Sequence, residues 1–419
     1  MTPMHGAELG TCRFCATPLV DSFVDLGMSP LSNAYPAASD ALRPEVFYPL
    51  HAFVCRACFL VQLHELQSPS EIFSDYAYFS SFSDSWLAHC RAYAEAMIPR
   101  LGLGAGSRVV EIASNDGYLL KFFHAHGIGV LGVEPAANVA ATAVAAGIPT
   151  IVEFFGTAQA DRMVAAGQRA DLLVGNNVLA HVPDLNDFVG GLRRVLAPEG
   201  VLTMEFPHLA KLIADNQFDT IYHEHFSYLS LVTVQRVFAA HGLRLFDVDE
   251  LPTHGGSLRV YACATAAGHA PPDGRARVEA LLGRERAAGF ERIETYRGFA
   301  TKVTDARCAL LEFLIDARRA GKSVVGYGAP AKGNTLLNYC GVRADLLAYT
   351  VDRSPHKQGR LLPGTRIPIR HPDEIARTRP DYVLILPWNL RAEITAQMAH
   401  IREWGGRFVV PIPRLEVLP

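Results

Sequence analysis

Seven consecutive positions in the middle of this 419-residue chain are rich in groups that move protons: Tyr222-His223-Glu224-His225-Phe226-Ser227-Tyr228. Two imidazoles, a carboxylate and two phenols in so short a stretch are what a proton-transfer site needs. The second histidine comes too early for an HExxH zinc helix. A solvated polar loop is the plain alternative. A further histidine, His181, lies in Val178–Asp184, just past the apolar run Asp171–Asn177. There it could touch a substrate, and a histidine capping a loop fits equally.

Two other sets of residues carry chemistry. Cys12-Arg13-Phe14-Cys15 and Cys55-Arg56-Ala57-Cys58 are paired CxxC turns. Each turn sets two thiolates on one side of a knuckle, and two knuckles give Zn²⁺ a tetrahedral set. With all four ligands from protein, one Zn²⁺ per chain would be structural and would staple a segment too small for its own core. Cys90, Cys263, Cys308 and Cys340 are scattered and read as ordinary small residues. The second set is Arg108–Tyr118, RVVEIASNDGY, followed by Leu119-Leu120-Lys121-Phe122-Phe123. It reads as strand, tight turn and helix, with a ligand beyond the strand's carboxyl end. The next strand, Val130–Val133, ends in Glu134, where such folds hydrogen-bond a ribose diol. Glu111, Ala113, Asn115, Gly117, Tyr118 and Glu134, with the amides Asn176 and Asn177 closing a later strand, resemble the S-adenosylmethionine site of class I methyltransferases. Ala113-Ser114-Asn115-Asp116-Gly117 replaces the usual Gly-x-Gly. Another nucleotide-binding βαβ unit is the bland reading.

The elements that must position these residues follow in order. Asp75–Ser83 is aromatic, and if it is extended Tyr76, Tyr78 and Ser80 share one face, as in a lid or substrate clamp. A packing hinge of aromatic residues is the simpler reading. Trp86–Leu101 and the alanine-rich Asn138–Ala146 read as helices. Leu192–Leu196, Pro198-Glu199-Gly200 and Val201–Phe206 read as helix, turn and fifth strand, with Leu243–Val248 and Gly255–Tyr261 as the last two strands. Ala266–Gly274 reads as a linker and Arg275–Ala320 as a long helical stretch. Lys322–Asn334 then repeats strand, glycine loop and helix. Leu347–Asp352 and Asp381–Leu386 follow as strands, so a second doubly wound domain is expected. Gly326 and Gly328 would bring backbone N–H groups to a diphosphate, with Lys332 as countercharge and Asn334 and Asp352 nearby. A nicotinamide dinucleotide would suit that loop equally.

The expected fold class is α/β, in three parts: a zinc-binding module (1–75), a class I methyltransferase domain (76–266) and a C-terminal Rossmann-like sugar-nucleotide domain (267–419). Half the chain is apolar and the net charge is −3, which argues against nucleic acid or an anionic membrane as the main partner. The opening MTPMHGAELGTC shows no charged-then-apolar leader. A cytoplasmic monomer is expected.

The paired CxxC, EIASNDG, YHEHFSY and GYGAPAKGN, in this order, resemble the nucleotide-sugar C-methyltransferases of deoxysugar biosynthesis over essentially the whole chain. The likeness is strongest to the branch serving D-tetronitrose-type antibiotic sugars. It implies methylation at C-3′ of a dTDP-3-amino-4-keto-2,3,6-trideoxyhexose through an enolate. It also implies a site of Tyr76, His181, Tyr222, Glu224 and His225, with the Gly326–Asn334 loop facing the dTDP-sugar. A hydrogen beside a ketone is acidic because the carbanion delocalises onto oxygen. His225 suits the base, since imidazole titrates near neutral pH. Glu224 would orient or polarise its neighbours, Tyr222 or His181 would donate to the oxyanion, and Tyr76 would hold the sugar. Spacing does not separate Tyr222 from His225 as base. An NAD(P)-dependent nucleotide-sugar oxidoreductase and a non-catalytic zinc-containing binding protein are the rival readings.

Overall fold

The computed structural model describes residues 10–68, 79–268 and 272–418. Tyr76 and Tyr78 lie outside the described residues. The chain divides into two compact units that interleave along the sequence. Among the described residues, the first unit holds the stretch up to Leu19, Cys55–His208 and Phe226–Arg292. The second holds Val20–Val54, Leu209–His225 and the chain from Ile293 onward.

The first unit is built on a seven-stranded sheet. Its strands are β1 (Arg108–Ile112), β2 (Gly129–Val133), β3 (Thr150–Ile151), β4 (Ala170–Asn176), β5 (Leu196–Pro207), β6 (Leu243–Leu251) and β7 (Ser257–Ala264). Their order is β3-β2-β1-β4-β5-β7-β6. β1 to β5 run parallel, and β7 lies antiparallel between β5 and β6. Crossover helices cover a parallel sheet on both faces, so its strands read as apolar runs. In β1, Val109 to Ile112 are all buried, which makes Glu111 an exception in need of a reason. The helix Asp84–Leu101 shows how sequence sets the packing. Ser83 caps it by accepting the Trp86 N–H, and Gly102 closes it in the left-handed region at φ 61. Cys90, Tyr93, Ala94 and Met97, spaced 3, 1 and 3 apart, form one buried stripe over Val109, Phe123 and Leu172.

In the second unit the strands are β8 (Val324–Tyr327), β9 (Thr350–Val351), β10 (Ile369–Arg370), β11 (Tyr382–Ile385), β12 (Arg407–Val410) and β13 (Glu416–Leu418). Their order is β10-β9-β8-β11-β12-β13, all parallel but β13. Two earlier segments join this unit. The antiparallel pair Asp21–Ser29 and Tyr48–Val54 packs through Phe23, stacked on Phe299 at 4.6 Å and edge-on to Tyr296. Residues 209–225 are tied in by Trp388 Nε1 donating to Asp219 at 2.7 Å and Thr335 Oγ1 donating to the Ile221 carbonyl at 3.0 Å.

Several expected elements change. Ser80 lies in a 3₁₀ turn, Ser80–Phe82, so the extended face does not continue through it. The fifth strand runs over Leu196–Pro207, longer than Val201–Phe206. The stretch Arg275–Ala320 is three helices, Pro272–Ala287, Ile293–Arg297 and Phe299–Arg319. Gly289, at φ 88, closes the first of them as glycine does at helix ends. The strand expected over Leu347–Asp352 shrinks to Thr350–Val351. No helix among the described residues is long and apolar enough to cross a membrane.

Candidate functional site

The cysteine pairs converge. The sulfurs of Cys12, Cys15, Cys55 and Cys58 all lie within 4.8 Å of one another, with Cys12–Cys58 and Cys15–Cys55 at 3.5 Å. Zinc–sulfur bonds of about 2.3 Å in a tetrahedron separate sulfurs by about 3.8 Å, so the cluster has the right size. The two knuckles repeat one geometry. Ala16 N donates to the Cys12 carbonyl and Phe59 N to the Cys55 carbonyl, both at 2.9 Å, and Ala16 and Phe59 both adopt positive φ. Gln62 Nε2 and the Ala57 N–H point at the Cys12 and Cys55 sulfurs, as donors that stabilise thiolates do. This donor set fits one closed, structural Zn²⁺.

The carboxyl ends of β1, β2 and β4 gather the residues assigned to the cofactor. Ala113 (φ 58) and Asn115 (φ 50) bend left-handed without being glycine, and Gly117 (φ 78) completes the turn. Such strain costs about 1–3 kcal/mol per residue and persists where the surroundings enforce it. Glu134 enforces it: its two oxygens accept from the Asn115 and Ala136 N–H groups, each at 2.9 Å. A carboxylate oxygen has a second lone pair, so both remain able to accept from a ligand. Burial raises the Glu134 pKa against these bonds. Glu111 is fully buried, and neither of its oxygens has a hydrogen-bond partner at good geometry among the described residues. Burial drives its carboxyl well above the ordinary range, with the Tyr118 phenol beside it pulling back. Tyr118 also senses Asn176. Asn177 (φ 54) meets His254 Nε2 through its amide at 3.2 Å, and His181 sits in the 3₁₀ turn that follows. Ser80 contributes its N–H, which donates to Asn115 Oδ1 at 2.8 Å.

A second polar group at the same edge is not foreseen by the motifs. Glu205 on β5 faces Arg259 on β7 across the antiparallel pair. One Glu205 oxygen lies 2.5 Å from Arg259 Nη2 and 2.9 Å from His89 Nε2, and the other accepts from Thr253 Oγ1 at 2.9 Å. Burial would raise the Glu205 pKa, but His89, Arg259 and Thr253 hold it below the usual range. Trp86 stacks on His89 and also meets Tyr118 and His254. A carboxylate inside VLTMEF was the legible signal; its partners were not.

In the second unit, the loop of residues 222–225 is held at defined points. His225 Nδ1 lies 2.9 Å from the Thr220 carbonyl. A carbonyl only accepts, so Nδ1 carries the hydrogen and the neutral ring keeps its lone pair on Nε2. The Tyr222 ring lies 4.0 Å from the His225 ring. His223 is held differently, with Nε2 reaching the Pro49 carbonyl at 3.2 Å and burial lowering its pKa. Glu224 is buried, and burial pushes its carboxyl up to about 7 while Asn33 Nδ2, donating at 2.7 Å, pulls it down.

The second glycine loop is equally defined. A Cβ on Gly326 would meet Thr350 Oγ1 at 2.6 Å, and Gly328, at φ 89, would drive one into Pro387. Asp352 accepts from the Ala329 N–H at 2.7 Å and the Ser354 N–H at 2.8 Å. Lys332 bonds to Asn389 and lies 4.1 Å over the Trp388 ring. Burial lowers its pKa to about 8 against the pull of Asp219, whose own carboxyl burial raises to about 6. Lys357, which no motif marked, donates to the Ala329 carbonyl at 2.8 Å. Asn334 is buried and gives its amide to the Ser32 carbonyl at 2.6 Å, so it braces the loop from behind.

The doubly wound sheet, the acid after β2 and the cysteine cluster are the arrangement that a zinc-containing S-adenosylmethionine-dependent methyltransferase needs. Family models match on the same lines: a zinc binding domain over residues 12–73, a methyltransferase domain over 86–248 and a C-methyltransferase C-terminal domain over 252–413. The chain is 38% identical over 407 residues to the C-methyltransferase NovU of Streptomyces niveus, covering 97% of this chain and 96% of that protein. It belongs to this C-methyltransferase family. Among solved structures, the PH0226 protein of Pyrococcus horikoshii matches with 14% identity over 48% of this chain and 99% of its own (TM-score 0.36). Magnesium protoporphyrin IX methyltransferase of Synechocystis, with bound SAH, matches with 12% identity over 42% and 81% (TM-score 0.33). Family membership displaces the oxidoreductase and non-catalytic readings.

Proposed function

We propose that the enzyme methylates C-3′ of a dTDP-3-amino-4-keto-2,3,6-trideoxyhexose, in deoxysugar biosynthesis for an antibiotic. The observation that carries this reading is the Nδ1 bond of His225 to the Thr220 carbonyl, because it leaves the basic lone pair on Nε2. His225 Nε2 takes the C-3′ proton, and the C–H electrons pass to the ketone oxygen as an enolate. Tyr222 or His181 donates to that oxyanion, and Glu224 orients its neighbours. Tyr76, Tyr78 and Ser80 help to hold the sugar. Gly326, Gly328, Lys332, Asn334 and Asp352 serve the diphosphate end, Lys332 as countercharge. Glu111, Ala113, Asn115, Gly117, Tyr118, Glu134, Asn176 and Asn177 hold S-adenosylmethionine, with Glu134 accepting from the ribose hydroxyls. When bound, the cofactor supplies an electrophilic methyl group on a sulfonium. The modules proposed for these roles remain residues 1–75, 76–266 and 267–419.

Proton removal and methyl transfer are separable, which gives the test. With the keto sugar and S-adenosylhomocysteine in D₂O, the wild type is expected to wash deuterium into C-3′. His225→Asn is expected to lose exchange and turnover by about 10²–10⁴-fold while binding both ligands. Exchange that survives in His225→Asn and vanishes in Tyr222→Phe would reassign the base to Tyr222. A wild type that turns over but never exchanges would remove the enolate route.

A further inference from the structure

The segment just after the strand Asp21–Ser29 carries no motif, yet it reaches the proton-transfer loop. Asn33 Nδ2 donates to Glu224 Oε1 at 2.7 Å across a sequence separation of 191 residues, within one compact unit. Among the described residues it is the side chain that donates to this carboxyl. We propose that Asn33 is a positioning residue that fixes the Glu224 carboxyl for proton transfer in the neighbouring loop. The inference rests on the reading of residues 222–225 as the proton-transfer loop.

Both ends of the contact are anchored. Behind Asn33, the Ser32 carbonyl accepts from Asn334 Nδ2 at 2.6 Å, and Tyr35 Oη donates to the Ala329 carbonyl at 2.6 Å. Arg360 Nη1 donates to the Tyr35 carbonyl at 3.1 Å. Residues 32–35 are therefore strapped to the second glycine loop on either side of Asn33. On the other side, Ile221 is held by Thr335, His223 by Pro49, and His225 by Thr220. A side chain held on two rigid supports loses little entropy when it bonds, so a single hydrogen bond can dictate the direction of the carboxyl.

The residue type matters as well as the place. An amide NH₂ donates without charge, so Asn33 meets the Glu224 oxygen without a competing ion pair. A hydrogen bond to the ionised form favours ionisation, and burial opposes it. Tyr35, which is buried and stays protonated, faces this carboxyl, and Tyr222, His223 and His225 are its neighbours along the loop. Beyond Tyr35 lie Asp352 and Lys357, whose Nζ sits 4.9 Å over the Tyr35 ring. Without the Asn33 donor, burial acts alone and Glu224 ionises at higher pH.

The test measures kcat, KM for the keto sugar and the pH profile for the wild type, Asn33→Leu, Asn33→Asp and Glu224→Gln. Deuterium exchange is recorded alongside. Asn33→Leu is expected to lower kcat by about 10–100-fold, to move the acid limb of the profile to higher pH and to leave KM within about twofold. Asn33→Asp keeps the size but adds a like charge, so it is expected to move that limb at least as far. If Asn33→Leu does not fold, the isosteric Asn33→Asp decides alone. An unmoved limb with kcat unchanged overturns the proposal, and so does a rise in KM with kcat intact, which would make Asn33 a substrate contact. If Glu224→Gln leaves the acid limb and the exchange rate as in the wild type, the reading of the loop fails instead, whatever Asn33 does.

Discussion

The two doubly wound units solve the same construction problem with opposite charge. In each, a strand runs into a left-handed turn, and an acid at the end of the next strand ties that turn to its own segment, accepting one backbone N–H from each. Glu134 takes Asn115 and Ala136 in the first unit, and Asp352 takes Ala329 and Ser354 in the second. What surrounds the clamp differs. The first loop sits over Glu111, a buried carboxyl without a hydrogen-bond partner of good geometry among the described residues. The second is flanked by Lys332 and Lys357, both depressed in pKa by burial and both near a carboxylate that pulls them back. A cationic ligand bound beside Glu111 would favour the ionised carboxylate that burial disfavours, and a loop with two lysines suits a diphosphate. Backbone geometry alone would not tell the two apart; the charged side chains do.

The largest effect sets the baseline, because it touches neither loop. Cys55→Ser removes one of four thiolates, and structural zinc sites supply on the order of 10 kcal/mol to folding. Metal analysis is expected to find one zinc per chain in the wild type and none in the variant, with soluble yield collapsing. A soluble, zinc-free variant that has lost only turnover would mean the metal is not structural.

Next comes the acid clamp of the first loop. Glu134→Ala removes a charge-assisted acceptor worth about 1.5–3 kcal/mol, so S-adenosylmethionine binding by calorimetry is expected to weaken by about 10–150-fold. The KM for the sugar nucleotide should hold. Unchanged cofactor affinity would place the cofactor elsewhere and break the comparison.

Lys332→Ala probes the opposite loop and the opposite charge. It is expected to raise the sugar nucleotide's KM by about 10-fold and to leave S-adenosylmethionine affinity alone. Equal losses for both ligands would show that the charge contrast does not sort them.

The smallest effect is on stability. The Glu111 pKa is raised in the folded chain, so the folded state keeps a proton that the unfolded chain releases above about 4.5. The stability tied to that proton is complete below this value and is lost as pH rises through the folded pKa. Glu111→Gln mimics the protonated form. Its thermal midpoint is expected to match the wild type near pH 5 and to exceed it by a few degrees near pH 8.5. A wild type equally stable at both, with Glu111→Gln lower throughout, would mean that the carboxylate is the form the fold uses.

The alternation of apolar runs and small turns marked most strands of the first sheet and the central strands of the second, because a strand buried on both faces must be apolar and its turn must be small; it did not mark Thr150–Ile151, Ile369–Arg370, Arg407–Val410 or Glu416–Leu418. The CxxC spacing determined the metal set for the same local reason: two thiolates three residues apart already share a knuckle. The breaks at Gly289 and before Phe299 were less legible, since the helical periodicity resumes on both sides of them.

Tertiary structure alone decided which segments keep company. Residues 20–54 and 209–225 join the C-terminal sheet through Phe23 on Phe299 and Asp219 under Trp388, contacts between residues far apart in sequence. Periodicity reports that a face is buried, not against what. It could not show that Asn33 meets Glu224, that Arg259 faces Glu205, or that Lys357 turns to the glycine loop. Nor could it divide the labour of the two histidines in His223-Glu224-His225: burial and the Pro49 carbonyl claim the first, and the Thr220 carbonyl sets the tautomer of the second. Sequence supplies the titratable groups, and the fold supplies the burial and the hydrogen-bond partners that set their protons.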